Sequence, residues 1–122
     1  MSERTVELNR TTAETEIVLR LDPDGAGRAE VATGLGFLDH MLTALARHAG
    51  WDLTLTCAGD LHVDDHHTAE DCALVLGRAL GRITGDGPTV SRFGWARVPM
   101  DEALAEVAVD LGGRPWADVS LG

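Results

Sequence analysis

Apolar and polar residues alternate along the first part of the chain, and this pattern predicts β-strands. The alternation runs through residues 5–21, crosses the turn signal DPDGAG at residues 22–27, and continues through Ala29, Val31 and Thr33. A period of two is typical of strands that bury one face. Because the turn signal separates two such runs, we predict a hairpin around it.

Helical spacing then replaces the alternation. Phe37, Met41, Leu45 and Ala49 recur at four residues, which predicts an amphipathic helix that ends near Gly50. A strand follows over residues 51–57, and a second helix begins at His66 with Asp65 as its cap and stops at GDGP, residues 85–88. The second helix is predicted to bury Cys72, Val75, Leu76, Ala79, Leu80 and Ile83. The order of elements predicts an α+β fold, a four-stranded sheet with two helices on one face.

The C-terminal part resembles the N-terminal hairpin at an offset of 88 residues. The offset aligns Glu14 with Glu102, Asp22 with Asp110, Gly25 with Gly113, Ala29 with Ala117, Val31 with Val119, and Gly34 with Gly122. Two alternating hairpins match easily, but the set favours an internal duplication. We predict a first sheet-plus-two-helix unit over residues 1–88. Residues 89–122 would form a partial second unit, only its first strands, without its helices.

Composition narrows the class of protein. A chain of 122 residues with a net charge of −10 has no basic run for a nucleic-acid surface. No window approaches the length of a membrane span, and the N-terminus lacks a signal-peptide pattern. We therefore expect a cytoplasmic protein, with Cys57 and Cys72 as buried free thiols rather than a disulfide.

The chemistry is concentrated in DDHHTAED, residues 64–71. On a helix from His66, His66 lies four residues and His67 three residues before Glu70, so both histidines can share a face with one carboxylate. Neighbouring residues point about 100° apart, so two adjacent metal sites are a natural interpretation. Imidazole with carboxylate suits manganese, iron or zinc. A polar helix start with two solvated histidines is the alternative.

Other candidate site residues lie outside this segment, and each has more than one interpretation when it is considered singly. His40 follows Asp39 near a helix start, and Glu14 begins a strand, where it is either a solvated edge charge or an acid/base group. Arg92 and Arg114 each lie near glycine, which lets a phosphate approach the backbone while the guanidinium binds it. Each is also explained as an ordinary turn arginine.

Six motifs taken in order closely resemble those of the imidazoleglycerol-phosphate dehydratase family of histidine biosynthesis. They are RxTxET at residues 10–15, GxxFLDHML at 34–42, HHTxED at 66–71, RFG at 92–94, PMDEAL at 99–104 and GRP at 113–115. The resemblance implies two similar halves, each a four-stranded sheet with two helices. It also implies a manganese-dependent homo-oligomer that acts on a small phosphate substrate.

The resemblance also assigns roles to individual residues. It implies that Glu14 is the acid/base group and that Arg92 and Arg114 contact the substrate phosphate. The implied metal ligands, for two Mn²⁺ sites, are His40, His66, His67 and Glu70.

The family pattern also runs beyond this sequence, through a second HHxxE segment that completes both metal sites. We therefore expect an N-terminal portion with an incomplete active site. The alternative is a self-assembling metal-binding fragment without turnover. A dinuclear metallohydrolase is a third possibility, which only the metal motif supports.

Overall fold

The computed structural model describes residues 2–85 and 90–122, which fall into two compact units divided between Ile83 and Thr84. The first unit holds six elements in chain order. They are β1 (Val6–Thr11), β2 (Thr15–Asp22), β3 (Ala29–Ala32), α1 (Gly36–Ala49), β4 (Asp52–Gly59) and α2 (His66–Thr84). The strands form one sheet in the order β1-β2-β4-β3. This arrangement confirms the predicted α+β fold with four strands and two helices.

One face of this sheet forms the core. Every second residue of β2 is buried, as are Leu53 and Leu55 of β4, and the register places Leu19 opposite Leu55 and Leu21 opposite Leu53. Glu16 on the other face is exposed. The buried apolar residues of the sheet and helices are Ile17, Leu19, Leu21, Ala46, Leu53, Leu55, Cys72, Val75, Leu76, Ala79 and Ile83. Both helices cover one face, and α2 buries its apolar stripe as the period-3.6 pattern predicts, whereas Phe37, Met41 and Leu45 of the α1 stripe are exposed.

The predicted hairpin between β2 and β3 is wrong. β2 pairs with β1 on one side and with β4 on the other, while β3 runs parallel to β4 at the edge of the sheet. The DPDGAG turn closes on β4, because the Asp52 carboxylate accepts hydrogen bonds from the backbone N–H groups of Ala26 (2.8 Å) and Arg28 (3.0 Å). The Arg28 guanidinium donates to the same carboxylate. Alternation indicates which face a strand buries, but not which strand lies beside it.

The helix ends follow local signals with one difference. Helix α1 ends before Gly50, which takes a left-handed conformation (φ 73°), as its glycine predicts. Asp65 occupies the N-cap position of α2, where its carbonyl accepts from Ala69 N–H at 3.1 Å. The capping carboxylate, however, is that of Asp64, which accepts from His66 N–H at 2.8 Å. The GDGP stop signal lies mostly outside the described residues, since only Gly85 of it is described.

Both cysteines are free, and they lie on facing elements. Cys72 of α2 is buried, and loss of hydration raises the pKa of its thiol to about 12. Cys57 of β4 is half-buried and neighbours it through a side-chain hydrogen bond. Such thiols are protonated at neutral pH and contribute to packing. Among the helices in the described residues, none has an apolar stretch long enough to cross a membrane.

The second unit contains one antiparallel hairpin, β5 (Phe93–Met100) with β6 (Ala103–Asp110). Its register repeats that of β1 and β2 after a shift of 88 residues: Val6 opposite Leu21 corresponds to Gly94 opposite Val109. Residues 117–120, which the offset aligns with β3, are not a strand. The shared register is an independent reason to propose duplication, with the boundary predicted near residue 88.

Stability of the first unit is expected to fall in acid. The Asp22 carboxylate is buried and accepts from the backbone N–H (2.9 Å) and the hydroxyl (2.6 Å) of Ser2, and these bonds lower its pKa to about 2. Because the unfolded chain binds this proton near pH 4, the stabilisation is present above that pH and is lost as the pH falls towards 2. Urea unfolding at pH 5 and pH 3 should give a lower free energy of unfolding at pH 3. Asp22→Asn should reduce this difference, and an unchanged difference would contradict the assignment.

Candidate active site

The β1–β2 turn, the end of β4 and the start of α2 meet at one end of the sheet. Gly59, the last residue of β4, pairs with Thr15, the first residue of β2. A Cβ atom at Gly59 would lie 2.0 Å from the hydroxyl oxygen of Thr68 in α2 and 3.6 Å from Thr15 Cγ2. Both threonines are buried. The absence of a side chain at Gly59 therefore allows the first turns of α2 to lie directly against the sheet.

A buried network joins the three elements. The Thr15 hydroxyl donates to Asp71 Oδ2 at 2.6 Å, and Arg10 Nη1 lies 2.6 Å from the same oxygen. Asp71 is buried, and the Thr15 hydrogen bond, followed by the Arg10 guanidinium, lowers the pKa of its carboxyl. Since Asp71 directly follows Glu70, this network fixes the first two turns of α2 against β1 and β2.

His67 is held through one ring nitrogen. Its Nδ1 lies 2.8 Å from Oδ2 of Asp60, the first residue after β4. The Asp60 side chain is only 13% exposed, while that of His67 is 40% exposed. The hydrogen bond to Asp60 is the main cause of a raised pKa at His67, and the charges of Asp60, Glu14 and Asp64 act in the same direction.

His66 has different surroundings. Its Nε2 lies 3.0 Å from Glu70 Oε2, one helical turn away, and both side chains are exposed. The rings of His66 and His67 are 5.6 Å apart and inclined at 73°. Of the two histidines, His66 contacts Glu70 and His67 contacts Asp60 instead. Successive helical side chains diverge by about 100°, which explains the separation.

Glu14 lies on the tight turn between β1 and β2. The turn is shaped by Thr12, whose hydroxyl oxygen accepts from the backbone N–H groups of Glu14 (3.2 Å) and Thr15 (3.0 Å). The Glu14 side chain is exposed, and its charge contributes to the raised pKa of His67. Glu14 directly precedes Thr15, which pairs with Gly59, so the structure places this predicted acid/base residue at the same end of the sheet as His67 and its partner Asp60.

His40 is exposed near the start of α1, next to a residue with a structural role. Asp39 accepts from the Thr33 backbone N–H (2.9 Å) and hydroxyl (2.5 Å), and so ties this end of α1 to the preceding loop. Across residues 2–85 and 90–122, no three side chains of His, Cys, Asp or Glu form a group that could hold a metal ion. Of the predicted ligands, His66 and Glu70 form an exposed pair, His40 is exposed, and His67 is half-buried against Asp60.

The two predicted phosphate contacts lie in the second unit. Arg92 Nε and Nη2 donate to the Asp110 carboxylate at 2.7 and 3.2 Å, and the guanidinium lies 4.9 Å from the centre of the Phe93 ring. This ion pair raises the pKa of Arg92 and lowers that of Asp110. Arg114 is exposed and follows Gly113, which has a positive φ of 80°.

Sequence reasoning assigned no role to Arg10, Thr15, Asp60 or Asp71, although each orders this end of the sheet. Arg10 and Thr15 lie in the RxTxET motif, and Asp71 ends HHTxED. A carboxylate directly after a strand, as in Asp60, is the only local signal for the partner of His67. That signal is weak, because such residues are common in loops.

Comparison with known proteins identifies the family. A model of the family described as imidazoleglycerol-phosphate dehydratase matches residues 33–121. The chain belongs to this family.

Curated members of the imidazoleglycerol-phosphate dehydratase family are close in sequence. The protein from Granulibacter bethesdensis is 60% identical over 111 residues, which are 91% of this chain and 57% of the relative. The protein from Chlorobaculum parvum is 53% identical over 116 residues, 95% of this chain and 60% of the relative. The chain thus spans somewhat over half the length of these relatives, in agreement with the expectation of a partial chain.

Solved structures of the family share the fold. The crystal structure of imidazoleglycerol-phosphate dehydratase from Staphylococcus aureus superimposes with a TM-score of 0.78 at 35% identity, covering 96% of this chain and 66% of that one. The Pyrococcus furiosus protein gives 0.77 at 40% identity, covering 94% and 60%.

Proposed function

We propose that this chain contributes part of a dehydratase active site. The reaction removes water from imidazole glycerol phosphate and gives imidazole acetol phosphate, a step of histidine biosynthesis. The observation that carries the proposal is that the turn holding Glu14 and the start of α2, with His66, His67 and Glu70, meet at one end of the sheet in a chain of this family. Thr15, next to Glu14, pairs with Gly59 and donates to Asp71, and His67 contacts Asp60 directly after Gly59.

The proposed metal ligands are His40, His66, His67 and Glu70, and their chemistry fits Mn²⁺. Manganese with nitrogen and oxygen donors prefers six ligands in a near-octahedral arrangement. His67 engages Asp60 through Nδ1, so Nε2 is the nitrogen left to bind a metal. When bound, the metal would supply Lewis-acid polarisation of the substrate. Since no three of the described His, Cys, Asp or Glu side chains form a group that could hold a metal ion, further ligands must come from another segment or subunit.

The protein groups have separate proposed tasks. Glu14 moves the proton to or from the substrate carbon next to the one that loses hydroxide, as general acid/base groups do. Arg92 and Arg114 bind the substrate phosphate through charge-assisted hydrogen bonds. For Arg92 this requires the phosphate to share or replace the bidentate contact with Asp110.

The proposed active form is a homo-oligomer in the cytoplasm. Helix α1 leaves a stripe of apolar side chains exposed at four-residue spacing: Phe37 (77%), Met41 (41%) and Leu45 (42%). A continuous apolar stripe favours burial against another subunit. The alternative function is that of a self-assembling metal-binding fragment without turnover. The same exposed stripe would support self-assembly, and the same histidine and carboxylate donors would bind the metal.

The two functions differ in turnover. The 122-residue chain, verified by intact mass, is to be assayed for Mn²⁺-dependent dehydration, and Glu14→Gln is the matched control. If the chain is catalytic, we expect Glu14→Gln to lower the rate by roughly 10²- to 10⁴-fold while Mn²⁺ binding is retained. Metal binding without dehydration at any Mn²⁺ concentration would support the fragment instead. If the chain showed no Mn²⁺ binding and no dehydration, both proposed functions would be contradicted for this chain.

A further inference from the structure

Asp60 is the mostly buried carboxylate that contacts His67, and it lies outside the six motifs named in the sequence analysis. Its Oδ2 accepts from His67 Nδ1 at 2.8 Å, and its other oxygen, Oδ1, is buried without a hydrogen-bond partner. A mostly buried carboxylate loses much of its hydration, so its position needs a compensating interaction. In the described residues, that interaction is with His67.

The backbone that carries Asp60 is fixed on both sides. Gly59 before it is the last residue of β4, and the carbonyl of Asp60 accepts from Val63 N–H at 2.8 Å, which closes a turn. The backbone of Asp60 is therefore fixed by the end of the central strand β4 and by the turn, independently of α2. A fixed acceptor can orient an imidazole ring that belongs to another element.

The ring of His66 shows how a histidine at the start of α2 is held when no buried carboxylate contacts it. His66 contacts Glu70 through Nε2, and both side chains are more than half exposed (67% and 54%). Such a surface pair holds its geometry weakly. The two histidines thus present different nitrogens, and only the ring of His67 is oriented by a mostly buried group.

We propose that Asp60 is a positioning residue that holds His67 with its proton on Nδ1 and directs Nε2 towards a divalent metal ion. The inference rests on the proposed function, because His67 must be a metal ligand. A neutral imidazole has one N–H and one acceptor nitrogen, so the hydrogen bond made by one nitrogen determines which nitrogen can bind a metal. Carboxylates that accept from the outer N–H of a ligating histidine also increase its basicity towards the metal.

The tautomer is measured first, in the metal-free 122-residue chain. Nitrogen-15 NMR at a pH where His67 is neutral should show the proton on Nδ1 in the unmodified chain and a mixture of tautomers in Asp60→Ala. Asp60→Asn keeps an oxygen acceptor of the same shape, so it should retain the Nδ1–H form. This readout does not depend on metal, and a purely structural role of Asp60 would not change it.

Metal affinity is measured second, with Mn²⁺ alone and calorimetric titration. We expect Asp60→Ala to weaken binding by about 10- to 100-fold, the range found for outer-shell partners of metal ligands, and Asp60→Asn to lose less. Glu30→Ala removes an equal charge from the exposed edge strand β3 and should bind as the unmodified chain does. Circular dichroism checks that each variant is folded.

An Nε2–H ring in the unmodified chain, or unchanged Mn²⁺ affinity in Asp60→Ala, would overturn the inference. Equal weakening by Asp60→Ala and Glu30→Ala would also overturn it, because the effect would then come from net charge. If the unmodified chain bound no Mn²⁺ but kept the Nδ1–H ring, the proposed metal ligation would be contradicted for this chain, and the role of Asp60 in orienting the ring would be supported.

Discussion

Loss of Mn²⁺ binding is the expected result of replacing either adjacent histidine. His66→Ala removes an exposed ring that faces Glu70, and His67→Ala removes the ring oriented by Asp60. Outer-shell partners already change metal affinity by about 10- to 100-fold, so loss of a direct ligand is expected to exceed 100-fold. Calorimetric titration and the metal content of the purified variants measure the effect.

Two other histidines serve as controls for this prediction. His48 at the C-terminal end of α1 and His62 in the loop before α2 are exposed and belong to no predicted site, so their alanine variants should bind Mn²⁺ normally. His67→Ala also leaves the Asp60 carboxylate without its partner, so its folding must be checked separately. Unchanged metal content in both His66→Ala and His67→Ala would exclude the proposed metal ligands.

A large loss of stability is expected for Asp71→Ala. The Asp71 side chain is 11% exposed and that of Arg10 is 23% exposed, so the substitution leaves a largely buried guanidinium and the Thr15 hydroxyl without their acceptor. Removal of one partner from a buried ion pair typically costs about 3 to 5 kcal/mol. Because both side chains keep some contact with water, we expect about 3 kcal/mol, measured as the free energy of unfolding in urea.

Asp71→Asn and Glu16→Ala separate the buried network from general effects of charge. Asp71→Asn keeps an acceptor for Thr15 and should lose less stability than Asp71→Ala. Glu16→Ala removes a carboxylate from the exposed face of β2, and surface changes of this kind usually lie within about 0.5 kcal/mol. If Asp71→Ala were as mild as Glu16→Ala, the network would not fix α2 to the strands.

The helices and the buried face could be predicted from sequence because their signals are local. The spacing of Phe37, Met41 and Leu45 and the glycine at Gly50 predict the extent of α1, which the structure matches, although this stripe is exposed and Ala46 is the buried residue of the helix. Strand pairing could not be predicted in this way. The parallel pairing of β3 with β4 depends on a crossover through α1 and on Asp52 binding the DPDGAG turn, and neither is visible in the alternation.

In the candidate site, too, contacts within one helix could be predicted from sequence, whereas contacts between different elements could not. The His66 to Glu70 contact follows from helical spacing, so the sequence predicts it correctly. The contact of His67 with Asp60 joins a helix to the end of a strand, and it depends on how close α2 approaches the sheet at Gly59. Such distances are set by packing, which a single sequence does not encode in any short window.

The hairpin of the second unit has a consequence for handling the protein in solution. In the first unit β2 is covered on both edges, by β1 and β4, whereas its counterpart β6 pairs only with β5 among residues 90–122. The open edge of β6 carries Ala103, Ala105, Val107 and Val109 on one face, without a proline or glycine to interrupt them. Unprotected edges of this kind are templates for intermolecular strand addition. We therefore expect aggregation to begin at this edge while the core of the first unit remains folded. Its extent should increase with protein concentration and storage time.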